Sequence, residues 1–180
     1  PLMSVKSDVS GHDPLTCWLL FTPPSRRQEA TGWLQQEAEL AGWGADQVIV
    51  KPQAGGNLGN RLRVAFEQGF QEGYGRVAAI GTDCVELDGA LVKESWQHLS
   101  GDCDLVFGPA TDGGYYLIGM KQAATCAVLD GIPWSSGVTL AASLAIAQQA
   151  GFRVNLLKEL SDVDTVADWQ RVRAMLDDEG

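Results

Sequence analysis

Histidine is scarce in this sequence, and its cysteines lack the spacing of a metal site. His12 and His98 are the only two histidines among the 180 residues. Neither is placed to activate a cysteine, so a cysteine–histidine nucleophile is not expected. Because no two cysteines form a Cys-x-x-Cys pair, the sequence argues against a zinc site or a disulfide framework and favours reduced thiols in a cytoplasm. The four cysteines are Cys17, Cys84, Cys103 and Cys126.

Positive charge and long apolar runs are lacking as well. The chain has 13 basic against 23 acidic residues, a formal net charge of −10, which argues against non-specific binding to nucleic acid or to a membrane surface. It contains no recognisable signal peptide and no apolar run long enough to span a bilayer, so we expect a cytoplasmic protein. A phosphorylated small ligand is still compatible with this charge, because a bound metal supplies positive charge locally. Since the first residue is Pro1 rather than Met, we expect that the natural start has been cut, processed or left out.

The order of apolar patterns predicts an α/β fold. Apolar residues make up 45% of the chain, enough for one globular domain with a core. Strand-like runs alternate with helical patterns, which predicts a three-layer α/β sandwich with a mostly parallel sheet. Predicted strands are Leu15–Thr22, Val77–Ile80, Leu105–Phe107, Tyr115–Ile118 and Phe152–Leu157, with Asp46–Val50 as a strand or a loop. Predicted helices are Arg26–Ala41, Arg61–Gly73, Gly89–Leu99, Gln122–Leu129, Gly137–Ala150 and Val166–Leu176. The polar segment Pro1–Pro14 is predicted to be a tail or the frayed end of a lost helix.

Two neighbouring predicted strands are each followed by a carboxylate. Asp83 comes just after one buried strand, and Asp112 lies in the loop after the next, before Gly113 and Gly114. Open α/β sheets bind ligands at the carboxyl ends of their strands, hard cations prefer oxygen ligands, and glycine lets backbone amides approach a ligand closely. This arrangement suits Mg²⁺ or Mn²⁺ carrying a phosphate. The alternatives are that Asp83 caps the following helix and that Asp112 only forms a turn.

A glycine-rich loop precedes the second predicted helix. Gly55, Gly56, Asn57 and Leu58 lead into the helical pattern that starts at Arg61. Such a loop is a ready anion site, because the amides of the first turn and the helix dipole point at it. The alternative is a simple turn, with Arg61 lying in solvent rather than pairing with a phosphate.

Aromatic and acidic residues further along add candidate site residues. Tyr115 and Tyr116 alternate across the sheet, so one of them should face the site and the other the core. Trp134 lies in a loop beside small polar residues, where it either covers an acceptor or packs in the core. Asp162 and Asp164 are candidate ligands on the far side of the site, although Asp162 could instead cap the last helix.

Four motifs in the expected order resemble a known family. The sequence is similar to the bacterial glycosyltransferase-like family linked with radical-SAM and arsenosugar gene clusters. That family resembles phospholactate guanylyltransferase and the molybdenum-cofactor nucleotidyltransferases, and all share the GT-A nucleotide-diphospho-sugar transferase fold. The resemblance covers roughly residues 15–176 and implies a single GT-A-like domain there. The motifs are Gly81–Cys84, Gly108–Gly119, Ile132–Ser135 and Asp162–Thr165.

The resemblance implies a metal-dependent transferase that moves a glycosyl or nucleotidyl group from a nucleotide or nucleotide-sugar donor to a small-molecule acceptor. Asp83 would match the metal-binding acid, Asp112 would face the acceptor or a second metal, and Asp162 or Asp164 would match the late acidic motif. The implied nucleotide-binding residues are Gly55, Gly56, Asn57, Leu58, Arg61 and Thr82. The implied acceptor-binding residues are Gly113, Gly114, Tyr115 and Trp134.

The sequence departs from this family in three places. Val85 replaces the usual proline, and Asn57 replaces an acidic residue. The family's first strand and its basic loop of the type Gly-Lys-x-Lys-Thr-Arg-Leu are not found, and the strand starting at Leu15 matches the family's second. The alternative is therefore a truncated or degenerate, non-catalytic domain that binds a small ligand or self-associates. A sheet lacking that central strand would have a gap or an unpaired edge, which predicts a homodimer, strand exchange or poor solubility.

Overall fold

Apolar runs build one seven-stranded sheet in the described residues. The computed structural model describes residues 2–7, 16–40, 48–82, 84 and 86–161, and for residues 2–7, 35 and 37–40 it describes the backbone alone. The strands are β1 (Leu2–Ser7), β2 (Thr16–Phe21), β3 (Val48–Pro52), β4 (Arg76–Gly81), β5 (Leu105–Pro109), β6 (Tyr115–Met120) and β7 (Val154–Leu156). The helices are α1 (Arg27–Leu40), α2 (Leu58–Gln71), α3 (Gly89–Ser100) and α4 (Thr139–Gln149), with 3₁₀ segments at Pro24–Arg26 and Ala123–Leu129.

The strand order is β3-β2-β1-β4-β6-β5-β7. β2, β3, β4, β5 and β7 point in one direction, while β1 and β6 run against their neighbours. β6 is antiparallel to β5 because the short connection between them cannot make the crossover that a parallel pair requires. The predicted α/β class with a sheet of mostly co-directional strands is confirmed.

Two apolar clusters lie on opposite faces of the sheet. On one face, Ala78, Ile80 and Val106 pack with α3 through Trp96 and Leu99. On the other face, alternate residues of the same strands pack with α2, the Ala123–Leu129 segment and α4. Because successive side chains of a strand point to opposite faces, buried strands such as β4 and β5 serve both clusters. The result is three layers with the sheet in the middle.

Residues Leu2–Ser7 form an internal strand, so the prediction of a tail or a helix remnant was wrong for this segment. β1 pairs antiparallel with β2 on one side and with β4 on the other. A six-residue segment of mixed polarity carries no periodic signal of its own. It becomes a strand because two strand edges offer partners to its backbone N–H and C=O groups. The predicted gap in the sheet is thus filled, and the rest of residues 1–14 lies outside the described residues.

Helix boundaries follow the capping residues. Asp88 is the N-cap residue of α3, and its Oδ1 accepts a hydrogen bond of 2.8 Å from the Leu91 amide in the first turn. α2 starts at Leu58 rather than at Arg61, because the Asn57 side chain caps it in the same way. The segment after Gln122 is a 3₁₀ helix, and the uncertain segment after Asp46 contains β3. The helix predicted at 166–176 lies outside the described residues, and no helix of the described part is long and apolar enough to cross a membrane.

Candidate functional site

A cavity of about 450 Å³ lies at the edge of the sheet where β2, β3 and β4 end and β6 begins. Its apolar lining includes the buried side chains of Leu62, Ala79 and Ile118. The carboxyl ends of co-directional strands are where α/β sheets bind ligands. An apolar floor with a few polar groups above it is typical of a small-molecule site. The polar groups that border this cavity are Thr22, Gln53, Arg61 and Thr82.

The glycine-rich loop is held rigidly against the first turn of α2. Gly56 has φ +94°, a left-handed conformation that favours glycine. Asn60 donates from Nδ2 to the Gly55 carbonyl at 2.7 Å, and its own amide donates to Asn57 Oδ1 at 2.9 Å. Asn57 therefore does the capping work of an acidic residue without adding negative charge beside the cavity. The expected loop-to-helix arrangement is present, and whether it binds an anion stays a prediction.

Arg61 and Gln53 form a connected pair beside the cavity. Arg61 Nε donates to the Gly56 carbonyl at 2.9 Å, and its Nη1 donates to Gln53 Oε1 at 3.3 Å. The backbone N–H of Gln53 donates to the carbonyl of Phe21 at the end of β2. Arg61 is thus half-buried and engaged rather than lying in solvent. Because an arginine can only donate, this bond fixes which end of the Gln53 amide is the oxygen and turns the NH₂ group to other partners.

Gln53 and Thr22 were not among the site residues that sequence reasoning selected. Each follows directly after the last residue of a strand, β3 for Gln53 and β2 for Thr22. The rule that placed Asp83 at the sheet edge applies equally to them. It did not select them because the assignment of β3 was uncertain and because Thr22 was included in the predicted strand.

The Asp112-Gly-Gly loop is a tight turn built by its own groups. Asp112 Oδ1 accepts a bond of 2.7 Å from the Gly114 amide, and the Gly113 amide donates to the Ala110 carbonyl at 3.0 Å. The Gly113 carbonyl accepts from the amide of Leu140, so the turn is also tied to the first turn of α4. Asp112 therefore has the turn-forming role given above as the alternative. Its side chain is exposed, and within the described residues its second oxygen accepts no hydrogen bond.

Tyr115 and Tyr116 both border the cavity, each from a different side of the sheet. The Tyr115 ring makes edge contacts with Phe107 and Trp134, with centroid distances of 5.1 and 6.2 Å. Tyr116 is buried and donates from its hydroxyl to the Lys158 carbonyl at 2.9 Å. Burial raises the pKa of Tyr115 and raises that of Tyr116 to about 12. Both hydroxyls therefore stay protonated at pH 7.

Trp134 packs against α2 rather than standing over the cavity. A side chain at Gly59, in the first turn of α2, would overlap the indole ring, so the absence of a Cβ there makes room for it. The indole ring of Trp134 also makes an edge contact with the ring of Tyr115. The structure thus gives Trp134 the packing role that was the alternative to acceptor binding. Acceptor binding by Trp134 stays a prediction.

Residues adjacent in the chain to Asp83, Asp112 and Asp162 meet at this edge of the sheet. Cys84 Sγ lies 3.9 Å from the Ser161 carbonyl, which it faces as a donor. The amide of Thr111 donates to the Leu160 carbonyl, and the amide of Leu160 donates to the Pro109 carbonyl. The chain neighbours of Asp83, Asp112 and Asp162 are therefore in contact with one another. Asp83, Asp162 and Asp164 themselves lie outside the described residues, and inside those residues no three acidic, cysteine or histidine side chains form a metal-ligand group.

Comparisons with known proteins agree with this architecture. The model of the bacterial family DUF2064, described as an uncharacterized protein conserved in bacteria, matches residues 8–136. No functionally curated protein matches. One solved structure that matches comes from Desulfovibrio desulfuricans G20 and is provisionally described as a nucleotide-diphospho-sugar transferase; it is 29% identical, with a TM-score of 0.71. The match covers 86% of this chain and 64% of the other, so this chain spans less than two thirds of that protein. The likeness shows a GT-A-like fold.

Proposed function

Because the chain belongs to the DUF2064 family and has a GT-A-like fold, we propose that it is a transferase whose cavity binds a nucleotide or nucleotide-sugar donor. It moves a glycosyl or nucleotidyl group from this donor to a small-molecule acceptor. The observation that carries the proposal is the cavity beside the first turn of α2, with an apolar floor and polar groups at its border. A nucleotide has the same division into an apolar base and a polar sugar-phosphate.

The base fits the part of the cavity that Leu62, Ala79 and Ile118 line. Gln53 then presents its NH₂ group to the edge of the base, because Arg61 holds its oxygen. A hydrogen-bond donor at this position selects bases that carry a carbonyl oxygen there, as uracil and guanine do, over bases that carry an amino group. The phosphates lie toward Thr82 and the loop Gly55–Leu58, where the positive end of the α2 dipole favours anions.

The chemistry of the acidic residues fits a divalent cation, Mg²⁺ or Mn²⁺. Asp112 is exposed at the sheet edge and keeps one oxygen without a partner among the described residues, as a ligand to a hard cation requires. Asp83, with Asp162 or Asp164, would hold the ion next to the donor, and Asp112 would face the acceptor or a second ion. When bound, the ion neutralises the charge that develops on the leaving diphosphate. The protein positions the two substrates, with Gly113, Gly114, Tyr115 and Trp134 on the acceptor side.

Calorimetric titration with nucleotides and nucleotide sugars, each with and without Mn²⁺, tests this proposal directly. We expect binding that requires the metal and that is stronger for donors with a base carbonyl. The donor that binds would identify the reaction class. Absence of binding by every donor to a folded sample would contradict the proposal.

Arg61→Ala is expected to weaken donor binding by up to about thirtyfold, because it releases both the Gly56 carbonyl and the side-chain oxygen of Gln53, each hydrogen bond being worth about 1 kcal/mol. Arg63→Ala is the matched control on the same helix. Arg63 pairs with Asp130 and Glu67 and does not line the cavity. Calorimetry on both variants should show a loss of affinity for the first only, and equal losses would mean that the Arg61 effect reflects lost folding.

One observation favours a second candidate, a domain that binds a small ligand without catalysis. β1 runs antiparallel to β4, so its last residue Ser7 pairs with Arg76 at the end of the sheet away from the cavity. β1 therefore ends on the side of the sheet opposite to the cavity. A basic loop that follows β1 directly would not begin beside the bound nucleotide. Tight, metal-independent binding with no turnover of any donor would support this candidate.

A further inference from the structure

A threonine hydroxyl lies in the row of strand ends that borders the large cavity. Along this edge of the sheet the strands follow in the order β3, β2, β1 and β4. Gln53 comes directly after β3, Thr22 directly after β2, and Thr82 directly after β4. All three residues border the cavity. Thr22 therefore lies between the residue proposed to contact the base and the residue proposed to lie near the phosphates.

The backbone places Thr22 and Gln53 side by side on one face of the sheet. β2 and β3 are parallel, with Phe21 paired to Pro52, and the bond of 2.8 Å from the backbone N–H of Gln53 to the Phe21 carbonyl continues this pairing by one residue. Paired residues of neighbouring strands share a face, and successive residues of a strand alternate between faces. Leu20 packs on the α2 side, so Thr22, two residues further on, lies on that side as well. This is the side of the cavity, which α2 also lines.

The Thr22 hydroxyl is available to a ligand. Thr22 is exposed, and within the described residues its hydroxyl makes no hydrogen bond. A smaller cavity of about 260 Å³ beside α1 also borders Thr22, but the wall that β2 gives it is apolar, and its two charged residues, Arg26 and Glu29, pair with each other. The large cavity, where Gln53 is the neighbour, is therefore the better place for a polar contact of Thr22.

We propose that Thr22 binds a hydroxyl of the donor's ribose, so that the site discriminates against nucleotides that lack this hydroxyl. The inference rests on the proposed function, from which it takes the positions of the base and of the phosphates. The ribose joins these two parts of a nucleotide, so it lies over the strand ends between Gln53 and Thr82. Neighbouring strands are about 4.8 Å apart, which puts Thr22 one strand spacing from the base contact and two spacings from the end of β4. A threonine hydroxyl both donates and accepts, as a ribose hydroxyl does.

Calorimetry in the presence of Mn²⁺ tests this inference by removing the hydroxyl from the protein and from the ligand in turn. The ligands are uridine or guanosine diphosphate, whichever binds the wild type more tightly, and its 2′-deoxy and 3′-deoxy analogues. Thr22→Val keeps the shape of the side chain without the hydroxyl, and Thr22→Ser keeps the hydroxyl. Thr31→Val makes the same change on α1, at a residue that does not border the cavity. Circular dichroism checks that every variant folds as the wild type does.

We expect the wild type, Thr22→Ser and Thr31→Val to bind the ribonucleotide about three- to tenfold more tightly than one of the two deoxy analogues, the equivalent of one hydrogen bond. Thr22→Val should lose this preference, and the analogue concerned identifies the hydroxyl. A purely structural role of Thr22 would instead weaken all ligands equally and leave their ratios unchanged.

Two different results would overturn the inference. If the wild type binds the nucleotide but shows no preference for ribose, or if Thr22→Val keeps the preference, Thr22 does not read the ribose, and the proposed function stands. If no nucleotide binds to the folded wild type, the proposed function fails and this inference fails with it.

Discussion

Gln53→Glu is expected to weaken the binding of donors with a base carbonyl by about tenfold to a hundredfold, the equivalent of losing one hydrogen bond and gaining a repulsion. The substitution preserves the size of the side chain and its contact with Arg61, which becomes an ion pair. It replaces the NH₂ donor by a second acceptor oxygen, which repels a carbonyl. Nucleotides whose base carries an amino group at that edge should lose less affinity or gain some.

The control for this variant is Gln97→Glu, which makes the same chemical change at an exposed position of α3 that does not border the cavity. Comparing both variants by calorimetry separates the local effect from the effect of one more negative charge on an acidic protein. An unchanged preference between carbonyl and amino bases in Gln53→Glu would show that Gln53 does not read the base.

Gly113→Ala is expected to destabilise the domain by at least about 3 kcal/mol, a large effect for a one-methyl change. Gly113 has φ +87°, which is unfavourable for any residue with a Cβ. A Cβ at this position would also overlap the backbone carbonyl of Gly137, which cannot move aside as a flexible side chain would. The Asp112 turn would therefore move away from the chain that precedes α4. The hydrogen bond from the Leu140 amide to the Gly113 carbonyl would be lost.

Gly73→Ala separates these two contributions. Gly73 has φ +89°, almost the same conformation, but a Cβ there would meet nothing within 4 Å. It should cost about 1–2 kcal/mol for the left-handed backbone alone. Urea unfolding of both variants gives the difference, which measures the close approach of the two loops. Equal losses of stability would show that Gly137 is able to withdraw and that the loops are not rigidly packed.

The parts of the fold that the sequence predicted are those with strong local signals. Val77 to Ile80 forms a continuous apolar run and became the buried strand β4, and the helix predicted from Gly89 to Leu99 became α3. A turn formed by Asp112 before Gly113 and Gly114 was the alternative to a site role, and the structure shows this turn. In each of these cases the residues that decide the local structure are neighbours in the chain.

The parts that the sequence missed depend on distant partners. Leu2–Ser7 is a strand only because β2 and β4 flank it, and its own polarity suggested otherwise. For Trp134 the sequence left acceptor binding and core packing open, and only the missing Cβ of Gly59 shows where its ring packs. Gln53 acquires a defined orientation only through Arg61. Asp83, Asp162 and Asp164 lie outside the described residues, so their roles stay predictions that the contacts between their chain neighbours support.

The pairing of β1 with β4 also has a consequence for the order in which the sheet folds. The β5–β6 hairpin closes over a few residues, whereas β1 joins Leu2 to Gly81 across most of the first half of the chain. Contacts between such distant residues carry the largest loop-closure entropy and slow folding. The hairpin is therefore a natural early unit, and insertion of β1 a late event. Until that event, a growing or refolding chain exposes two unpaired strand edges, and this is when association with a second molecule is most favoured.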